Sequence, residues 1–525
     1  MKNSNKILNF MKKTQSKIGE ISYSIWNSLK NRSIVTKILL WYALITLAGA
    51  LLLWMPFSQQ IGEIFDAPGN RLTVIERISF IDALFMSASA FSDTGLSTVV
   101  VSQQFNLFGE IVLFILFTLG GIGWFGIKIF IINVIIRKVV STKVSLEAQE
   151  EFGTTTKQQT LDILKVAVFV TLGGTLIFGM IFGIIFATTE AIHISTVTNP
   201  DLVGNWGDAI WTGIFHAGSS LNNAGLDIFK GNDSLAGYYG NYGVQVLTIF
   251  LFMLGGIGFV VVYDVKEYFK HRYAGQKFHF SLLTKISFTA YASIAIFGLL
   301  STFMFEGIAS AVRYDQAWLT GTVDDLAEAG SHAQRSWALV FTTFSTRNAG
   351  FSTINLQQLS VGTTTTHAIL MFVGSGPGST AGGIRTTTTA VIMISIWAYM
   401  RGKNHTSMFN RTIPKEQVWE AMMIFIASVV LLFFSATIIS AIETKYLMVQ
   451  AEEGYLNIFY VVASAFGTTG LSTLDLSQAH VMTKIWLIIL MFIGQLGMAT
   501  TLKQIKPRTA GQSKSIYIEE KINLG

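Results

Sequence analysis

Eight apolar stretches alternate with polar segments along the chain, near residues 37–57, 107–136, 162–189, 241–264, 285–306, 365–399, 418–442 and 482–503. Each is long enough to cross a bilayer core, for which a helix needs ~20 largely apolar residues. Between the members of each pair lies a shorter segment rich in small residues. The pattern predicts helix, short helix, turn, helix, repeated four times.

The short helices begin near Ser79, Trp206, Gln334 and Gly454. At little more than a dozen residues, each reaches about halfway across a membrane and must stop there. The turn that follows is irregular backbone at membrane depth, tolerated only where it lines a watery cavity or is buried in protein. The four turns align on one glycine: AFSDTGLST ending at Thr98, SLNNAGLDI ending at Ile228, FSTRNAGFST ending at Thr353 and AFGTTGLST ending at Thr473. Their glycines, Gly95, Gly225, Gly350 and Gly470, are spaced by 130, 125 and 120 residues. A second landmark follows each: FTLGGIG at 117–123, FMLGGIG at 252–258, FVGSGPG at 372–378 and MFIGQLG at 491–497. One copy of either would read as an ordinary loop or as close helix packing. Two landmarks in register four times mark an internal repeat.

Re-entrant turns of this composition suit a cation. Backbone carbonyls replace a hydration shell in ion filters, and glycine adopts the dihedrals this requires without a clash. The partial negative charge at the C-terminal end of each short helix favours a cation and repels chloride. The candidate filter residues are Ser92, Asp93, Thr94 and Gly95; Asn222, Asn223, Ala224 and Gly225; Arg347, Asn348, Ala349 and Gly350; and Gly467, Thr468, Thr469 and Gly470. Asp93, an acid inside the first turn, either faces the outer mouth and concentrates cations or accepts backbone N–H bonds. A third arrangement pairs it with Arg347 across the mouth. His216 and His332 read as packing or hydrogen-bonding residues. The glycines, Pro377, Ser375, Ser379 and Thr380 between Gly374 and Gly383 make a poor continuous helix. That segment either interrupts the sixth span or kinks it.

Composition agrees with a membrane setting. Hydrophobic residues make up 51% and charged residues 13% of the chain, with a mean hydropathy of +0.50. A soluble globule carries about 25% charged residues. With no cysteine there is no disulfide framework or thiolate nucleophile, and the eight histidines form no HExxH pair. The spans are nearly free of acids and offer no paired nucleophile and base, which argues against an intramembrane enzyme.

The formal charge of +6 does not point to nucleic acid, because the bases cluster between apolar segments. Arg137, Lys138 and Lys143 follow the second span; Lys266, Lys270, Arg272 and Lys277 the fourth; Arg401, Lys403 and Arg411 the sixth; Lys503, Lys506, Arg508 and Lys514 the eighth. The other loops hold scattered bases such as Arg71, Arg77, Lys230, Arg313 and Lys445. By the positive-inside rule both termini are cytoplasmic. The stretch from Lys2 to Lys37 lacks the features of a cleavable signal peptide and reads as a solvated arm or interfacial helix. The expected architecture is an all-α membrane protein with eight transmembrane helices in four M1-P-M2 repeats and re-entrant pore loops around a central pore. Its divisions are a basic arm at 1–36, repeats at 37–140, 141–268, 269–402 and 403–503, and a cytoplasmic tail at 504–525.

These residues resemble the Trk/Ktr/HKT superfamily of potassium transporters, closest to the KtrB membrane subunit, from about Ile38 to the end of the chain. The resemblance rests on the four glycine turns, on GSGPGSTAGGIRTTT from Gly374 to Thr388, and on YIEEKINLG ending at Gly525. It implies that Gly95, Gly225, Gly350 and Gly470 line a selectivity filter holding K+ through backbone carbonyls. Glycine rather than serine in the first turn goes with potassium over sodium. It also implies an intramembrane gating loop, with Gly374, Ser375, Gly376, Gly378, Ser379, Thr380, Gly382 and Gly383 as gate residues, polar and mobile beneath the filter. Where the family's eighth span reads FIGRxG, this chain reads FIGQLG, so the neutral Gln495 stands at the gate in place of an arginine. Arg385 is the candidate substitute for that charge.

The implied function is the ion-translocating subunit of a potassium uptake system in the cell membrane. A less selective Na+/K+ or ammonium pathway is the alternative. The implied assembly is a homodimer, each protomer with its own pore, on a cytoplasmic ring of RCK-type, KtrA-like nucleotide-binding subunits. The short basic loops suit that partner or anionic lipid. The resemblance implies no organic cofactor on this chain, with Na+ a candidate activating ion.

Overall fold

Long apolar runs form helices here, the arrangement in which a chain satisfies its own backbone hydrogen bonds without water. A computed structural model describes residues 34–60, 62–65, 71–123, 156–190, 202–229, 234–312, 318–320, 331–443 and 454–505. Its contacts separate a main unit, Thr46–Ala499, from a small one comprising Met1–Ile45 and Thr500–Gly525. The described parts of the small unit belong to the helices Ile34–Trp54 and Met498–Ile505.

The helices in chain order are α1 (Ile34–Trp54), α2 (Phe80–Phe91), α3 (Leu107–Ile122), α4 (Lys157–Thr188), α5 (Trp206–Leu221), α6 (Tyr242–Gly256), α7 (Phe259–Tyr273), α8 (Leu282–Val312), α9 (His332–Ser345), α10 (Val361–Phe372), α11 (Thr386–Met400), α12 (Lys415–Ile442), α13 (Gly454–Gly467), α14 (Val481–Leu496) and α15 (Met498–Ile505). A π-helical turn at Phe169–Gly173 lies within α4. Among the described residues, α4, α8 and α12 are each long and apolar enough to cross a membrane, and the bent pair α6–α7 makes a fourth if taken as one span. Leu176, Ile177, Phe288, Leu300, Val430 and Phe433 on these helices stand exposed. That suits lipid rather than water.

The short helices start where their polar residues say they should. Ser79 accepts from the Asp82 amide ahead of α2, and Asn205 from the Asp208 amide ahead of α5. Ser331 and Gln334 form a reciprocal capping box at the start of α9. Such caps satisfy amides that a helix leaves open at its first turn. The third short helix therefore begins at His332, two residues before Gln334.

Two of the continuous spans expected from hydropathy are interrupted, and the described part of a third ends at a glycine. The span predicted over 241–264 bends by 98° between α6 and α7, at Gly258 with φ +98°. The span over 482–503 breaks at Gly497 (φ +82°) between α14 and α15. Helix α3 ends at Ile122 before Gly123 (φ +81°), and residues 124–136 of the second predicted span lie outside the described residues. Each break falls on the last glycine of the second landmark. A left-handed glycine terminates a helix at little steric cost, so hydropathy alone cannot register the stop. The sixth span is interrupted over the predicted 374–383.

Two small antiparallel hairpins depart from the all-α expectation: β1 (Gly62–Phe65) with β2 (Arg71–Ile75), and β3 (Ser407–Met408) with β4 (Arg411–Thr412). Most of the 1–36 arm and of the 504–525 tail, including YIEEKINLG, lies outside the described residues.

Candidate functional site

The turn following each short helix folds back on that helix. The amides of Thr94, Ala224, Ala349 and Thr469 donate to the carbonyls of Ser89, Ser219, Ser345 and Ser464, at 2.8–2.9 Å. The next residue in each turn is the aligned glycine, with φ of +87° at Gly95, +64° at Gly225, +81° at Gly350 and +92° at Gly470.

These four glycines sit against one another in sequence order. A methyl group at Gly95 would lie 2.6 Å from the Ala224 carbonyl oxygen, and one at Gly225 would lie 2.9 Å from Gly350 Cα. One at Gly350 would lie 2.5 Å from the Thr469 carbonyl oxygen, and one at Gly470 would strike the Thr94 carbonyl oxygen. The first turn abuts the second, the second the third, the third the fourth and the fourth the first. That is a closed ring. A side chain at any of the four would meet backbone, which cannot swing aside as a flexible side chain does.

Ser92, Asp93, Thr94, Asn222, Asn223, Ala224, Arg347, Asn348, Ala349, Gly467, Thr468 and Thr469 are all buried behind this ring. On the side away from the 374–383 loop, the one the sequence expects to face outward, lies a cavity of about 540 Å³ to which all four ring glycines contribute. Asp227 and Asp475 are the acids of its lining, which contains no Lys or Arg among the described residues.

The second landmark has a packing role as well. Gly120, Gly255 and Gly494 press on carbonyls at the C-terminal ends of the short helices, those of Phe91, Leu221 and Phe466. Any side chain there would separate a short helix from its neighbour.

The 374–383 segment passes on the other side of the turns and is hydrogen-bonded to its neighbours. The Gly376 amide donates to the Gly256 carbonyl (3.0 Å), the Phe259 amide to the Gly378 carbonyl (3.0 Å) and the Gly383 amide to the Gly494 carbonyl (3.2 Å). The Thr386 amide donates to the Ser375 carbonyl (3.1 Å). Arg385 folds onto the loop itself, donating to the Ala381 carbonyl (2.6 Å) and the Ser379 hydroxyl (3.2 Å). The second landmarks of the second and fourth repeats thus give the loop backbone partners at Gly256 and Gly494, with the Phe259 amide next to Gly258.

Asp93 adopts none of the three arrangements that the sequence suggests. It does not line the outer cavity, and its Oδ2 accepts from Gln495 Nε2 at 3.3 Å. That same amide nitrogen also donates to the Thr380 carbonyl at 3.0 Å. Arg347 turns the other way. Its guanidinium donates to the carbonyls of Leu370 (2.9 Å), Val373 (2.5 Å) and Gly374 (2.8 Å) and stands 5.0 Å from the Tyr291 ring centre. A buried base in a turn of small residues needs acceptors, and the C-terminal end of α10 has carbonyls left open by the helix. That signal was present in the sequence only as an arginine within an apolar repeat.

His216 Nε2 is 2.9 Å from Thr248 Oγ1, in contact edge-on with Phe182 and Phe351. His332 Nδ1 lies 3.0 Å from the Leu319 carbonyl. Both are placed as packing and hydrogen-bonding residues. Among the described residues no group of three or more His, Asp or Glu is arranged to hold a metal ion. Three features were not anticipated from the sequence: the acids Asp227 and Asp475, the Arg347 grip, and a bridge of 2.7 Å between Lys484 and Asp82 that ties α14 to α2.

The family model described as TrkH, cation transport protein, matches residues 61–509. The chain is 30% identical to the Ktr system potassium uptake protein B of Bacillus subtilis, over 87% of this chain and 90% of that protein. It is 28% identical to the potassium/sodium uptake protein NtpJ of Enterococcus hirae, over 92% and 95% of the two. The crystal structure of the potassium transporter TrkH from Vibrio parahaemolyticus has a similar fold, with a TM-score of 0.60 at 17% identity, over 91% of this chain and 86% of that one. Apolar helices and these similarities make the protein a membrane-embedded cation transporter rather than an enzyme, and the chain belongs to the TrkH family of cation transport proteins.

Proposed function

We propose that the chain is the potassium-conducting subunit of an uptake system, with the four glycine turns as its selectivity filter. The observation that carries this is the closed ring of Gly95, Gly225, Gly350 and Gly470, each against the next turn's backbone. Carbonyl oxygens gathered at such a constriction can replace the water around a dehydrated alkali cation. The short helices direct the negative ends of their dipoles to the same place. In this reading Ser92–Gly95, Asn222–Gly225, Arg347–Gly350 and Gly467–Gly470 supply the filter. The loop from Gly374 to Gly383, with Gln495, is the gate beneath it.

Four helix–short helix–helix repeats surround the pathway, making eight spans when the broken helices are counted whole. Lysines and arginines after the even-numbered spans put both termini in the cytoplasm of a cell in whose plasma membrane the protein resides. The relatives named for Ktr systems support a separate KtrA-type cytoplasmic partner for this chain, and we assign it a homodimeric state with anionic lipid around its basic loops. Na+ is the candidate activating ion.

The test is rubidium against sodium influx into proteoliposomes, for the native chain and for Gly350→Ser. The native chain should favour rubidium, and Gly350→Ser should lose that preference while remaining monodisperse. Equal rubidium and sodium influx in the native chain would overturn the potassium assignment. The second reading, a less selective Na+/K+ pathway, draws on the acids at the outer cavity. They attract either ion.

A further inference from the structure

Two residues before the ring glycine, each turn carries a polar residue: Asp93, Asn223, Asn348 and Thr468. All four have left-handed backbone, with φ of +49°, +57°, +68° and +50°. Non-glycine residues adopt this region at a cost of roughly 1 kcal/mol each, so its recurrence at one position of four repeats calls for a return elsewhere. The return is contact with the 374–383 loop. Ser375 Oγ donates to Asn348 Oδ1 at 3.2 Å, Thr380 Oγ1 to Asn223 Oδ1 at 3.0 Å, and the Gly382 amide to Thr468 Oγ1 at 2.6 Å. The fourth contact runs through one residue: Gln495 Nε2 bridges Asp93 Oδ2 and the Thr380 carbonyl, at 3.3 and 3.0 Å.

We infer that these four residues are positioning residues that fasten the intramembrane loop to all four turns of the ring, so that the backbone shape of the ring and the position of the loop change together. The bonds fall at three points along the loop, Ser375, Thr380 and Gly382, and come from every side of the ring. A loop held this way cannot move without releasing a side chain from each turn. Conversely, a cation that reshapes the carbonyls of a turn acts on a residue two positions away. The inference rests on reading the ring as the filter and the loop as the gate, and it adds how the two communicate.

The chain has no cysteine, so a single Ser379→Cys substitution reports loop exposure through its rate of modification by a charged thiol reagent in proteoliposomes. Rubidium influx is measured on the same samples. Thr468→Val, which removes the acceptor for the Gly382 amide, should raise the modification rate on the order of five-fold, the effect of one lost buried hydrogen bond. Thr468→Ser, which keeps the hydroxyl, should return it to the starting value. Asn223→Ala, which also removes the bond from Asn223 Nδ2 to the Phe252 carbonyl, and Thr380→Val should each raise the rate, and together should do no more than Asn223→Ala alone, because both delete the Thr380–Asn223 bond.

An unchanged rate in Thr468→Val, or strictly additive effects of Asn223→Ala and Thr380→Val, would overturn the inference. Should Thr468→Val not yield monodisperse protein, the Asn223–Thr380 pair decides the question. The two readings separate cleanly. Faster modification with unaltered rubidium influx keeps the fastening and removes the gate, whereas altered influx with unaltered modification keeps the gate and removes the fastening.

Discussion

Gln495 on α14 donates through Nε2 to Asp93 Oδ2 at 3.3 Å, and these residues belong to the fourth and the first repeats. One stands where the second landmark of the other three repeats has glycine, at Gly121, Gly256 and Gly376, and the other is an acid in a turn whose counterparts are Asn223, Asn348 and Thr468. The two departures meet in space. A carboxylate buried at this site lacks a basic partner among the described residues, and the amide supplies part of what solvent would.

That contact predicts an unequal response to placing a base at position 495. Gln495→Arg alone sets a guanidinium against Asp93, where the carboxylate neutralises it, and rubidium influx should fall only slightly. Gln495→Arg combined with Asp93→Asn leaves the positive charge uncompensated. Influx should then fall by on the order of ten-fold or more, the effect of roughly 1.4 kcal/mol of added barrier. Equal influx in the two variants would refute the pairing.

Arg347 should not tolerate Lys. Its planar fork reaches three carbonyls of the α10 terminus and the loop, a geometry a single ammonium cannot match. Arg347→Lys should lower the midpoint of thermal unfolding in detergent, consistent with a loss of about 2–3 kcal/mol for hydrogen bonds to a charged group. Fluorescence-detected unfolding of the purified protein measures this, and an unchanged midpoint would contradict the assignment.

Gly494 is predicted to be intolerant of even a methyl group. Its position would drive Cβ into the Phe466 carbonyl, and the three nearest atoms are all backbone of that residue. Gly494→Ala should cost ~1–3 kcal/mol, as overpacking of a close-packed interior does. Gly307→Ala, where no atom lies within 4 Å of the added carbon, is the matched control. Thermal unfolding midpoints of the two should differ clearly.

The outer acids should act through long-range charge. Asp227→Asn with Asp475→Asn should reduce rubidium influx several-fold at low ionic strength, because a cavity lined by one sign of charge concentrates counter-ions. The loss should shrink in 0.5 M of an impermeant salt, where screening acts over a few ångströms. A loss of the same size at both ionic strengths would point to a local structural effect instead.

Much of this site could be read from the chain because it is repeated. Gly95, Gly225, Gly350 and Gly470 recur at fixed spacing, and each needs a conformation that few other residues accept. The interruption at 374–383 was legible for a similar reason, since consecutive glycines with Pro377 cannot sustain a helix. The bends at Gly258 and Gly497 were not, because their flanks are as apolar as any continuous span. Nor were the destinations of Arg347 and Asp93. Both lie in one turn motif, and which carbonyl or amide each would meet depends on segments dozens to hundreds of residues away.

The 98° bend between α6 and α7 has a mechanical consequence. The first residue past the bend, Phe259, gives its amide to Gly378, while the far end of α7 carries Lys266, Lys270 and Arg272. Helix α7 thus begins on a bond to the loop and carries those bases, together with Asp264 and Glu267, along the rest of its length. Any displacement of the first turn of α7 must therefore carry Gly378 with it or break that bond.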